Sequence, residues 1–199
     1  MELELTFNED KAPGATSEWE KAVPIIADKD TVYAYLPEEV YSVGNYCELI
    51  HTLEHTKAKT VKLIMNNGGG YMDSMLSIRS AIQKSNAKVI AVLDGTVASA
   101  ATMITMCCDE IEIGDWTSFM IHSSSGGTQG KHHETKAYME FSDKLLAGVF
   151  NDLYKGFLSN KEINRVLEGK DLWLDKDEVL DRWKRKRKLS YNTDGKGYN

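Results

Sequence analysis

The chain is short of cysteine, of long apolar runs and of positive charge. Its three cysteines, Cys47, Cys107 and Cys108, do not suggest a disulfide framework, so reduced thiols are expected. No apolar stretch approaches the roughly 18 residues of a membrane span. The net charge of −6 argues against nucleic acid as a partner. The basic run Lys184–Lys188 is a local exception and reads as a solvated helix end or tail. The first residues, Met1–Lys11, are acidic and carry no signal-peptide pattern, so a soluble, cytoplasmic protein is expected, with no membrane partner. What is present is ordinary globular composition. The 199 residues are 42% hydrophobic and 27% charged, enough for one sizeable core. No internal repeat or linker divides the chain. The expected organisation is an N-terminal arm at 1–24, one domain at 25–183, and a basic, polar tail at 184–199.

Apolar runs alternating with helical patterns predict an α/β protein with a mainly parallel sheet. Strands are expected at Val32–Leu36, 60–66, 88–93, Glu110–Ile113, Ser118–His122 and Asp171–Leu174, with a short one at Leu3–Phe7. Helices are expected from Pro37 to about Lys57, at 72–84, 98–107, 131–158 and 161–168, and after Asp175. Ser159-Asn160 can cap the helix at 161. Tyr138, Phe141, Leu145, Val149, Leu153 and Phe157 recur at spacings of three and four. They give the long helix one apolar face, suited to its own domain or to a second subunit. The small-residue segment Ser123–Gly130 is expected to be a flexible or extended loop.

The most informative pairing is Asn66-Asn67-Gly68-Gly69-Gly70 after one buried strand and Gly95-Thr96-Val97-Ala98-Ser99-Ala100 after the next. The glycines allow bare N–H groups to face a ligand. Ser99 stands where a helix begins, beside free N–H groups that favour developing negative charge. A serine beside an anion site is what acyl transfer needs. Other motifs are weaker. His51-Thr52-Leu53-Glu54-His55 fits a zinc-peptidase pattern and would put two imidazoles on one helix face, but no third ligand is evident, so no metal is expected. His132 and His133 are adjacent and point apart. Ser125–His132 is a near miss for a phosphate loop, lacking its first glycine and its hydroxyl residue.

With these residues in view, the sequence resembles the Clp protease proteolytic subunit, a serine peptidase family of the ClpP/crotonase fold. The family's Asn-Ser-Pro-Gly-Gly is similar to Asn66–Gly70, with Gly68 in place of proline. Its Gly-x-Ala-Ala-Ser-Met is similar to Gly95–Ala100, with Ala100 in place of methionine. Its Met-Ile-His and following Gly-Gly-x-Gln-Gly are similar to Met120-Ile121-His122 and Gly126–Gly130. Its Asp-x-Phe/Trp is similar to Asp171-Leu172-Trp173. The motifs fall in order across about residues 30–183. The resemblance implies repeated β-β-α units with a mainly parallel sheet and a protruding long helix. It also implies Ser99 as nucleophile, His122 as general base, Asp171 as its orienting carboxylate, and Gly70 and Ala100 N–H groups as the oxyanion hole. No cofactor is called for. The implied assembly is a homo-oligomeric ring of seven, with stacking open. Its substrates would be peptides or unfolded proteins, and an AAA+ unfoldase is a possible partner. Ser123-Ser124 in place of the family's Gln-Pro, and an unfamiliar N-terminal arm, mark the chain as divergent. The other readings are an inactive ring or scaffold protein and a crotonase-like acyl-CoA enzyme.

Overall fold

The computed structural model describes residues 22–123 and 132–194. The expected strand at Leu3–Phe7, most of the 123–130 loop and the last residues of the tail therefore lie outside the described part. The elements are β1 (Ile25–Asp28), β2 (Thr31–Tyr35), a 3-10 turn (Val43–Tyr46), α1 (Cys47–His55), β3 (Thr60–Asn67) and α2 (Met72–Lys84). They continue with β4 (Lys88–Ala98), α3 (Ala100–Cys107), β5 (Glu110–Ile113) and β6 (Ser118–Ile121). The last are α4 (His132–Leu153), α5 (Asn160–Leu167), β7 (Leu172–Leu174) and α6 (Lys176–Asp194). Among the described residues no helix is long and apolar enough to cross a membrane.

The seven strands form one sheet in the order β1-β2-β3-β4-β6-β7, with β5 also on β4. Pairing is parallel from β2 to β6 and antiparallel only at the β1–β2 and β6–β7 ends. β4 is the spine, and it is longer than the 88–93 expected. Its first half, Ile90–Leu93, pairs with β5, and its second half, Thr96–Ala98, pairs with β6. A bulge lies between the halves, where Asp94–Thr96 face Asn66 and the register shifts. The Asn66 side chain fills the gap by accepting the Thr96 N–H at 3.0 Å. This bulge turns β4 away from β5 and delivers Ser99 to the edge of β6.

The helix expected from Pro37 does not start until Cys47. Backbone pairing with the glycine segment claims the residues before it. Gly68 N–H donates to Glu38 O, Val40 N–H to Gly69 O and Tyr71 N–H to Val40 O, while the Asn67 amide donates to Pro37 O at 2.5 Å. β1 was not expected at all. It is a short edge strand, mostly exposed, with no alternating pattern to betray it. The long helix ends at Leu153 rather than 158. Tyr154–Leu158 instead turn back into the core, where Phe150, Tyr154, Phe157 and Phe119 make a chain of ring contacts 5.0 to 6.4 Å between centroids. The stripe on α4 therefore divides. Leu153 and Phe157 are buried, whereas Tyr138, Phe141 and Leu145 are exposed. α6 continues through the basic run to Asp194.

Ser159 caps α5 as expected, in a reciprocal box with Glu162. Glu162 also holds Arg182 of α6 at 2.8 Å, with both side chains mostly covered. The Arg182 guanidinium, helped by the Ser159 donors, pulls the Glu162 carboxyl from the usual 4.5 down to about 2. A depressed carboxylate stabilises the fold above its unfolded pKa, and that contribution fades as pH falls through the folded value. Glu162→Gln is expected to cost about 2 kcal/mol at neutral pH. In urea melts, the gap to the parent should close between pH 4.5 and pH 2. Parallel stability curves across that window would rule out this role.

Candidate active site

Ser99 occupies the single residue between β4 and α3, with φ 55° and ψ −124°. Lys29 is the only other described non-glycine residue with positive φ. Such a conformation costs roughly 1–3 kcal/mol and persists only where its surroundings impose it. They do so here. Ser99 N–H donates to Met120 O of β6 at 2.9 Å, and Ser99 O accepts the Thr102 N–H at 2.9 Å. Gly69 packs against its other side, so close that a Cβ on Gly69 would lie 2.4 Å from the Ser99 Cβ. A sharp, strained turn from strand to helix presents a serine hydroxyl clear of its own backbone.

The glycine segment forms the opposite wall. Gly69 O and Tyr71 N–H both pair with Val40. The intervening Gly70 N–H therefore faces away from that pairing. It meets no acceptor among the described residues, and neither does the Ala100 N–H at the start of α3. A side chain at Gly70 is excluded, since its Cβ would lie 2.2 Å from Val40 O.

Gly68–Gly70, Ser99, Ala100 and His122 line one cavity of about 770 Å³. Tyr41, Tyr71, Met72, Met103 and Leu146 supply apolar wall, and Glu39 is the carboxylate among the lining residues. Sequence reasoning missed these wall residues, because long-range pairing alone brings them together.

His122 follows the last paired residue of β6 and is half-buried. Asp171 precedes the first residue of β7 and is exposed. The antiparallel register pairs Phe119 with Leu174, Met120 with Trp173 and Ile121 with Leu172. His122 and Asp171 are thus the residues just beyond the last pair of this register, at neighbouring strand ends. Asp171 does not line the cavity, however; it borders a small depression with Glu162 and Lys170. Among the described residues no hydrogen bond joins Ser99 to His122, or His122 to Asp171.

The other candidates lie elsewhere. His51 and His55 stand on one face of α1 with ring centroids 4.6 Å apart. Among the described residues no group of three or more His, Cys, Asp or Glu side chains is placed to hold a metal ion. Most of the phosphate-loop near miss at 125–132 falls outside the described residues. Burial pushes the Cys107 thiol up to about 12, so it carries almost no thiolate at neutral pH.

Against known proteins, the family model described as Clp protease matches residues 16–181. The chain belongs to the Clp protease family. Its mixed α/β architecture and mainly parallel sheet are those of the ClpP fold. It is also 26% identical over 140 residues to the ATP-dependent Clp protease proteolytic subunit 2 of Pseudomonas aeruginosa. That match covers 66% of this chain and 66% of the relative, just under two thirds of the relative's own length. Such an identity marks a divergent member of the Clp protease family.

Proposed function

We propose that this chain is a serine endopeptidase that cleaves peptides or unfolded proteins through an acyl-enzyme. The observation that carries the reading is the strained Ser99, sharing a cavity with His122 and with the unpaired N–H groups of Gly70 and Ala100. In this reading Ser99 Oγ attacks the scissile carbonyl as His122 takes its proton. The carbonyl oxygen, now an anion, sits between the Gly70 and Ala100 N–H groups. His122 returns the proton to the leaving amine. A water then repeats the sequence on the ester and frees Ser99. Asp171 fixes the imidazole tautomer and stabilises the imidazolium, a role that the β6–β7 register supports. In this reading the His122 contacts to Ser99 and Asp171 form when substrate binds, as catalytic hydrogen bonds often tighten only in the complex.

The same reading extends to assembly. Tyr138, Phe141 and Leu145 leave an exposed apolar face on α4 among the described residues, as a ring-forming subunit requires. A homo-oligomeric ring, of seven by family resemblance, would enclose the sites, and an AAA+ unfoldase would feed it. A cytoplasmic setting fits such work.

A fluorophosphonate probe tests the chemistry. One adduct per chain is expected, mapped to Ser99 by peptide mass spectrometry. An inactive scaffold and an acyl-CoA enzyme would both leave Ser99 unlabelled. Absence of an adduct, while a known serine hydrolase labels in the same tube, overturns the proposal.

A further inference from the structure

Two polar side chains lie in the core where apolar ones would pack as well. Thr102 of α3 and Tyr154, just past α4, are both fully buried. Their oxygens are 2.5 Å apart, and Thr102 Oγ1 is 2.6 Å from Ser99 O. The direction of these bonds is forced. A carbonyl only accepts, so Thr102 must donate to Ser99 O. That uses its one proton, so Tyr154 O–H must donate to Thr102. The phenol is held in turn, its ring centroid 5.0 Å from that of Phe150 and 6.4 Å from that of Phe157. Burying two hydroxyls is costly unless the bonds they make are kept. Here the chain of bonds ends on the carbonyl of the residue proposed as nucleophile.

That carbonyl belongs to the same trans peptide unit as the Ala100 N–H. Oxygen and hydrogen point to opposite sides of a planar unit. Gripping Ser99 O from inside the core therefore aims the Ala100 N–H outward, at the cavity. From this geometry we infer that Thr102 and Tyr154 are positioning residues, setting the orientation of the Ser99–Ala100 peptide and so of the oxyanion donor. The inference rests on the serine-peptidase reading for its catalytic consequence. Its structural part stands independently. Thr105, one turn on, makes only the ordinary bond to Ala101 O within α3 and has no such role.

An oxyanion donor acts on the transition state more than on bound substrate. Tyr154→Phe keeps the ring and removes one oxygen. On a fluorogenic peptide, kcat should fall about tenfold with KM changed less than about twofold. Thr102→Val should lose at least as much, and Thr102→Ser, which keeps the hydroxyl, should recover most of the rate. The double variant should be no worse than Thr102→Val alone, since both changes break one chain. Hydrogen exchange over residues 99–104 gives a readout that needs no turnover. It should be faster in Tyr154→Phe and Thr102→Val than in the parent and in Thr102→Ser. Parental kcat and parental exchange in both disrupting variants overturn the inference. So does equal damage from Thr102→Ser and Thr102→Val. If the parent neither turns over nor takes the fluorophosphonate, the peptidase reading fails, and the exchange data alone decide the positioning claim.

Discussion

Replacing Ser99 with alanine is expected to lower hydrolysis of a fluorogenic peptide by about 10⁵-fold or more, while the protein folds as before. The size follows from the way a nucleophile and its base act as one unit, so that removing either forfeits nearly the whole covalent route. His122→Ala should therefore fall to a similar floor. Stability should be little affected. The Ser99 hydroxyl makes no hydrogen bond among the described residues, and the backbone contacts that impose its conformation come from Met120, Thr102 and Gly69. An unfolding free energy for Ser99→Ala within about 0.5 kcal/mol of the parent, from urea melts, is expected. Parental turnover in Ser99→Ala would remove the nucleophile assignment, whatever the fate of the fold.

Gly69→Ala should be among the most damaging changes outside the proposed triad. The added methyl carbon would lie 2.4 Å from the Ser99 Cβ, 2.7 Å from Ala98 O and 3.0 Å from Ala100 N. Gly69 cannot retreat, because its N–H is held by Asn67 Oδ1 at 2.8 Å and its carbonyl by Val40 N–H at 2.8 Å. Its φ of 93° adds strain for any residue with a side chain. The strand-to-helix turn must move instead. A displacement near 1 Å at a reacting atom costs about 10²-fold in rate, and the strain itself costs roughly 1–3 kcal/mol. Slower fluorophosphonate labelling of Ser99 and a lower urea midpoint should appear together. Parental values of both would mean that the two walls of the cavity are not rigidly opposed.

The sheet's interior was legible from its apolar runs: Val89–Leu93 is buried almost throughout, and in Val61–Met65 the buried Val61, Leu63 and Met65 alternate with the half-exposed Lys62 and Ile64. The helix at 72–84 and the Ser159 cap were legible for local reasons, one a periodic apolar face and the other a hydroxyl three residues before a glutamate. Pro37-Glu38-Glu39 carried an equally good local signal for a helix start and gave a different structure. There, pairing with Gly68–Tyr71 outweighed propensity. In the candidate site, Ser99 and the glycines could be found from their junctions. That His122 and Asp171 stand at neighbouring strand ends depends on the β6–β7 register, to which spacing along the chain gives no access. The Thr102–Tyr154 bond spans 52 positions and leaves no mark on either local pattern.

α3 has a further consequence. Every residue from Ala100 to Met106 is buried, whereas a surface helix keeps a whole polar side free to vary. This segment has no such side, so it offers evolution almost no neutral ground. Random mutagenesis should find few tolerated replacements there, and a charge should be rejected at any point along it. The proposed nucleophile is thus anchored to one of the least permissive stretches of the chain, and changes in preference for substrates are more readily made on the facing wall, at Tyr41, Tyr71 and Met72.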